Sequence, residues 1–297
     1  MTKQKRQKQD KDSKLFIKIK YKKLSINTFI QKMTPSPFLT IYQKYWKKSG
    51  WFGNYATWDA AEKDCDGYDS TAITGRVVHA TRQVRDGKAA FERDSVLFFE
   101  EELDEDLLAI LKDVKGKLDE KTPLVILDFG GALGSTYWQH RRIFKDWHLK
   151  WIVVEQAHFV ELGQSEFSNA QLSFAFSIEE ACAVSTPQLV LFNSVLQYLP
   201  QPSIFLEAVE KQGIESIFIG RTPTYLGNTD RIMQQIVPPK IYKASYPSWV
   251  FSLDSFKKQL LNTGRYTIKK EVNIPYSYHQ VDGQQLLLTD LLLTKLN

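Results

Sequence analysis

The second half of the chain alternates short, continuous apolar runs with amphipathic or polar stretches. Five runs stand out: Leu124-Val125-Ile126-Leu127, Trp151-Ile152-Val153-Val154, Leu172-Ser173-Phe174-Ala175-Phe176, Leu189-Val190-Leu191-Phe192 and residues 214–220. Runs of this length, rich in aliphatic residues, predict strands buried on both faces, as in a parallel sheet. The intervals suit helices: Ile178-Glu179-Glu180-Ala181 opens one, and Pro202 stands where proline favours a first helical turn. A helix is expected near 254–262, then two final strands at 266–274 and 286–296, parted by Pro275 and a loop containing Asp282-Gly283. Upstream, Ser70 precedes a stripe of Ile73, Val77 and Val84, and Leu103, Leu107, Leu111, Val114 and Leu118 form another. Residues 49–121 are therefore expected to be a helical cap, ahead of an α/β domain at 122–297.

The first strand runs into Asp128-Phe129-Gly130-Gly131-Ala132-Leu133-Gly134. Glycines here permit positive φ and let a ligand approach bare backbone. Counted from Gly130, the middle and last positions of the dinucleotide fingerprint fall on Ala132 and Ser135, which is a poor fit. The pattern Asp-x-Gly-x-Gly-x-Gly fits better, with Asp128, Gly130 and Gly134 in place and only Ala132 departing from it. The second strand closes on Glu155, 25 residues after Gly130, where a carboxylate can accept hydrogen bonds from ribose hydroxyls. The third ends at Phe176 and Ser177, in position to flank an adenine, and the fourth continues as Asn193-Ser194-Val195-Leu196-Gln197-Tyr198-Leu199-Pro200.

These segments together resemble class I S-adenosylmethionine (SAM)-dependent methyltransferases. With Gly50-Trp51-Phe52-Gly53-Asn54-Tyr55, Gly67-Tyr68-Asp69, Arg221-Thr222-Pro223, Val237-Pro238-Pro239 and Ser245-Tyr246-Pro247-Ser248-Trp249, the chain is similar to a methyltransferase family encoded among bacterial capsule and lipopolysaccharide genes. The likeness covers about residues 50–297. It implies a Rossmann-like three-layer sandwich whose mostly parallel seven-stranded sheet has the order 3-2-1-4-5-7-6 and ends in an antiparallel pair. It implies SAM as cofactor, held by Asp128, Gly130, Gly131, Gly134, Glu155, Phe176, Ser177, Asn193 and Ser194. The implied reaction is O-methylation of a sugar of a surface polysaccharide or its precursor, free or carried on a nucleotide or lipid, in the cytoplasm.

SAM carries its methyl on a cationic sulfur, so alignment of the acceptor is the main demand, and a neutral hydroxyl also needs a base. The transferable methyl is expected near the carboxyl ends of the fourth and fifth strands. Asp230 is the first base candidate there and Tyr198 the second, although Asp230 also reads as an ion-pair partner of Arg231. Arg221, beside Thr222, can clamp a carboxylate or phosphate bidentately. Tyr225, Tyr242, Tyr246 and Trp249, in an insertion at 221–250, can stack on sugar faces or simply close over the core. Trp51, Phe52, Tyr55 and Trp58 are candidates for a substrate entrance or for plain packing.

Charge adds a separate feature. Residues 1–48 hold 14 Lys and Arg against 2 Asp, a net of +12, and the remainder holds 25 basic and 32 acidic residues, a net of −7. The basic tail reads as a solvated arm or as a dock for an anionic membrane face, and the acidic body offers nucleic acid no groove. No apolar run reaches the length of a bilayer span. Cys65 and Cys182 stand alone, and His79, His140, His148, His158 and His279 lack metal-ligand spacing, so no metal is expected. Asp64-Cys65-Asp66 and Asp104-Glu105-Asp106 allow a glycosyltransferase reading, and Ala132 allows a non-catalytic SAM-fold scaffold, but the strand and loop pattern favours the methyltransferase.

Overall fold

A computed structural model describes residues 49–66, 70–238 and 244–296. The basic tail, Gly67-Tyr68-Asp69, Pro239 and Tyr242 lie outside the described residues. Five strands, β4 (Leu124–Phe129), β5 (Leu149–Val154), β6 (Leu172–Ala175), β7 (Leu189–Asn193) and β8 (Ser216–Tyr225), pair in parallel in the order β6-β5-β4-β7-β8. The hairpin β11 (Tyr266–Val281) and β12 (Gln284–Lys295) completes the sheet, with β12 antiparallel to β8 and β11 outermost. Numbered within these seven strands, the order is 3-2-1-4-5-7-6, as the resemblance implied.

Period-2 side-chain alternation sorts the apolar runs onto two faces. Ile126, Trp151, Val153, Leu189, Leu191 and Phe218 face α2 (Ser70–Arg85), α3 (Glu105–Gly116), α4 (Ser135–Phe144) and α5 (Ala157–Leu162). Val125, Leu127, Ile152, Val154, Val190, Phe192, Ile217 and Ile219 face α6 (Ile178–Val184), α7 (Pro202–Lys211) and α8 (Leu253–Leu260). The result is a three-layer sandwich with the mostly parallel sheet in the middle. Pro202 begins α7, as expected of a residue with no amide hydrogen to satisfy.

The region expected to be a helical cap is mixed. It holds β1 (Gly50–Tyr55), α1 (Trp58–Lys63), α2, the hairpin β2 (Phe91–Arg93) and β3 (Val96–Phe98), and α3. β1 pairs with β9 (Arg231–Ile236), and β9 with β10 (Ser245–Ser252), both antiparallel. The partner of β1 is so distant in sequence that local periodicity carries no trace of the pairing. The expected insertion at 221–250 likewise divides: residues 221–225 are the end of β8, and β9 and β10 extend the sheet. β7 ends where Asn193 pairs with Gly220, and β10 takes its place beside the rest of β8, with Phe251 opposite Thr224.

Trp51 is buried in this extension, its Nε1 donating to Ser248 Oγ at 3.0 Å and its ring edge-on to Tyr276 and His279. It belongs to the core rather than to a substrate entrance. Gly50, at φ +125°, sets this register: a Cβ there would lie 1.8 Å from the His279 ring. Gly264 also has positive φ, at +68°, but open space around it. Gly50→Ala is therefore expected to lower Tm clearly more than Gly264→Ala, because overpacking of about 1–3 kcal/mol adds to backbone strain of about 1–2 kcal/mol. Equal shifts in a calorimetric comparison would refute the packing argument.

Candidate functional site

Between β4 and α4 the backbone takes left-handed values at alternate positions: Gly130 at φ +72°, Ala132 at +50° and Gly134 at +86°. Both leading glycines are sterically required. A Cβ on Gly130 would lie 2.5 Å from Val195 Cγ2, and one on Gly131 would lie 2.5 Å from Asp128 Oδ2. Ala132 adopts the conformation that glycine would take without strain, so the loop keeps its shape despite the missing middle glycine.

Asp128 lies beneath this loop, 1% exposed, and accepts a hydrogen bond from Trp151 Nε1 at 3.0 Å. Burial pushes its carboxyl up to about 7, the Trp151 hydrogen bond opposes that rise, and the charge of Glu155 adds to it. Asp128 thus braces the loop from inside rather than meeting a ligand. Glu155 is held at the loop's flank: Oε1 accepts from Ala132 N at 3.3 Å and Oε2 from Gln156 N at 2.7 Å. Burial raises its pKa, and the two backbone hydrogen bonds oppose the rise. Phe176 is 50% exposed at the end of β6, while Ser177 is occupied as the N-cap of α6, accepting from Glu180 N at 3.1 Å.

At the ends of β7 and β8 the structure adds what the sequence did not disclose. Thr222 pairs with Thr289 and Ile219 with Leu291, leaving Gly220 and Arg221 opposite Asp290 as a β-bulge. Arg221 stands at φ +50°, donates its N–H to Asp290 Oδ1 at 2.5 Å, and donates Nε–H to Asn193 Oδ1 at 3.1 Å. Burial lowers the Arg221 pKa and raises that of Asp290. Ser194, at φ +59°, accepts at Oγ from Gln197 Nε2 at 3.0 Å. The bulge and these positive φ values cluster where a ligand would meet the strand ends.

A second unanticipated group is Glu92 of the β2–β3 hairpin, 6% exposed. Its carboxylate accepts from Ser135 Oγ at the start of α4 and from Ser95 N, so the hairpin is fastened to the helix that follows the glycine loop. Burial raises its pKa. A lone acid in a short, otherwise unremarkable segment carries no sequence signal of this role.

Of the expected site residues, Asp230, Thr222 and Tyr225 serve elsewhere. Asp230 accepts from Ser252 N at 2.8 Å and Gln259 Nε2 at 3.1 Å, so both oxygens brace the start of α8, and Arg231 pairs instead with Asp282. Thr222 and Tyr225 are wholly buried, and the Tyr225 hydroxyl donates to Thr229 O, so neither faces an acceptor. Tyr198 meets Tyr246 edge to face at 5.1 Å. Trp249 donates to Leu199 O at 3.0 Å and lies 6.1 Å from the Trp58 ring. His140 links two helices, with Nδ1–H donating to Thr136 O and Nε2 accepting from Asp104 N. Asp104 caps α3 and Asp106 pairs with Lys270, which disposes of one Asp-x-Asp reading, and no metal-ligating cluster occurs among the described residues.

No family model matches the chain, and no curated protein matches it. Among solved structures it is similar to the Burkholderia thailandensis 1,6-didemethyltoxoflavin-N1-methyltransferase with bound 1,6-didemethyltoxoflavin and S-adenosylhomocysteine, at 16% identity over 77% of this chain and 90% of that one, with a TM-score of 0.40. It is similar to the N-terminal domain of EvdMO1 in the presence of S-adenosylhomocysteine and D-fucose, at 12% identity over 77% and 98% of the chains, with a TM-score of 0.45. A SAM-dependent methyltransferase from Methanosarcina mazei is 12% identical over 62% and 97%, with a TM-score of 0.41.

Two stability measurements test the loop. Ala132→Gly is expected to raise stability by about 0.5–1 kcal/mol, since the left-handed penalty of an L-residue outweighs glycine's extra unfolded-state entropy. A lower Tm would contradict it. Asp128 has a folded pKa above its unfolded value, so its stabilising share is present below about pH 4 and is lost as pH rises through about 7. Asp128→Asn, which stays neutral and keeps an acceptor for Trp151, is expected to gain stability over wild type above pH 7 and to match it near pH 4. Parallel urea titrations at the two pH values measure this difference directly.

Proposed function

We propose that this chain is a SAM-dependent methyltransferase that O-methylates a sugar of a cell-surface polysaccharide or its precursor. The observation that carries the reading is one juxtaposition: a left-handed glycine loop and Glu155 at the carboxyl ends of β4 and β5, in a sheet whose order is 3-2-1-4-5-7-6. Ligands of open α/β sheets bind at those strand ends. The residues fit the cofactor. The loop offers backbone turned by three left-handed residues, Glu155 offers carboxylate oxygens with lone pairs to spare for ribose hydroxyls, and half-exposed Phe176 offers an apolar face to a base.

SAM supplies a methyl group already bonded to a good leaving group. The protein's share is therefore to bind, orient and deprotonate. Gly130, Gly131 and Gly134 let the loop pack closely on Val195, Asp128 and Leu172 and so fix its shape, Asp128 holds that loop from below, and Asn193 and Ser194 border the same strand ends. Tyr246 and Trp249, with Trp58, supply aromatic faces against which a sugar can pack. With both oxygens of Asp230 engaged, Tyr198 is the remaining base candidate for the acceptor hydroxyl.

Isothermal titration with S-adenosylhomocysteine tests the cofactor assignment. Wild type is expected to bind, Gly130→Val to lose binding because its side chain collides with Val195, and Glu155→Ala to bind about 10–100-fold more weakly through loss of charge-assisted hydrogen bonds worth about 1.5–3 kcal/mol. An absence of wild-type binding, or equal binding by folded variants, would sink the proposal.

A further inference from the structure

Glu92 is a charged residue in a place where a neutral one would fasten the hairpin as well. It is 6% exposed, and its carboxylate accepts one hydrogen bond at each oxygen: Oε1 from Ser135 Oγ, and Oε2 from Ser95 N at 2.9 Å. Both donors are neutral. No ion pair reaches it among the described residues, and the adjacent cation is turned elsewhere: the Arg93 guanidinium lies 5.6 Å from the centre of the Phe91 ring and 3.9 Å from Glu102. The start of α4 adds positive charge, but a helix terminus supplies only about half a unit of it. A carboxylate withdrawn from water without a full counter-charge is costly, and a cationic ligand offsets that cost.

The neighbours of Glu92 have acceptor capacity to spare. An ionised carboxylate offers about four acceptor positions, of which Glu92 uses two. Ser135 spends its hydroxyl hydrogen on Glu92, so its Oγ keeps its lone pairs. Ser95 Oγ is buried and has no hydrogen-bond partner among the described residues, although the Ser95 amide is tied to Glu92. The backbone holds that hydroxyl in place at a cost, since Asp94 and Ser95, which join β2 to β3, both have positive φ, at +52° and +63°, without a glycine. Hydrogen bonds thus link three side chains with unused lone pairs into one cluster. A primary ammonium, a compact charge with three donors, matches such a cluster.

The cluster adjoins the glycine loop. Ser135 N donates to Gly131 O at 3.3 Å and Gly134 N donates to the same oxygen at 2.9 Å, so the residue that Glu92 holds also helps to close the loop. Glu155 meets that loop at Ala132 instead. We propose that Glu92, with Ser95 and Ser135, binds the ammonium group at the amino-acid end of the cofactor. This inference rests on the methyltransferase reading and adds a binding group to that same site.

The test titrates the full chain by calorimetry with two probes: S-adenosylhomocysteine, and the analogue in which hydrogen replaces its amino group. Wild type is expected to bind S-adenosylhomocysteine about tenfold or more tightly than the deaminated analogue. Glu92→Gln keeps an acceptor for Ser135 and Ser95 but loses the charge. It is expected to bind S-adenosylhomocysteine about tenfold more weakly and the analogue as wild type does, so that the two affinities converge. Ser95→Gly, which suits the positive φ and so keeps the test decisive if Glu92→Gln does not fold, is expected to lose about threefold or more for S-adenosylhomocysteine alone. Equal binding of the two probes by wild type would overturn the proposal. So would equal weakening of both by Glu92→Gln, which would make Glu92 a support of the loop and not a ligand contact, or S-adenosylhomocysteine affinity unchanged in both variants. Wild type that bound neither probe would remove the methyltransferase reading, and this inference with it.

Discussion

Strand β8 outlasts its neighbour, and much of the site depends on that mismatch. β7 stops at Asn193, opposite Gly220, while β8 continues to Tyr225. Beyond that point the backbone of β8 needs a new hydrogen-bonding partner on that side, because buried unpaired amides and carbonyls cost more than a marginal fold can bear. β10 supplies the pairing, and β9 and β1 follow from it. The crossover from one neighbour to the other falls at the bulge. Arg221 is therefore placed where β7 leaves room, and its Nε can reach Asn193 at the end of the vacated track.

The glycine loop obeys a related constraint from below. β4 is buried on both faces, yet its fifth residue is an aspartate with no ion-pair partner among the described residues. Trp151, on the adjacent strand, gives that carboxyl its hydrogen bond, and the indole also fills the core between α4 and the sheet. Loop shape and core packing are consequently joined through one pair of side chains. Gly131 can pass only because it has no Cβ to strike Asp128, so the acid and the glycine are two parts of one fit.

The central sandwich was legible in the sequence because its strands are continuous apolar runs and its helices are local. The runs at Leu124, Trp151, Leu172 and Leu189 each became a parallel strand, and Pro202 and the segment from Ile178 marked helix starts. What escaped was non-local. β1 needs β9, the Arg221 bulge needs Asp290, and Glu92 needs Ser135, and none of these pairings leaves a period in the chain. Asp230 misled for the complementary reason: an acid in a loop after a strand has the same local appearance whether it faces a substrate or braces a helix. Tyr225 likewise looks like a stacking aromatic until the cluster of Trp51, Met233, Val250, Val281 and Leu286 closes around it.

Charge is distributed unevenly across the strand ends, and this bears on which ligand each side can hold. Asp128, Glu155 and Glu92 surround the glycine loop, and burial raises the pKa of all three. Across β7, Arg221 is the reverse, a base whose pKa burial lowers. In the proposed reading the acidic loop side receives a cofactor with a cationic sulfur and an ammonium group, and the opposite charges attract.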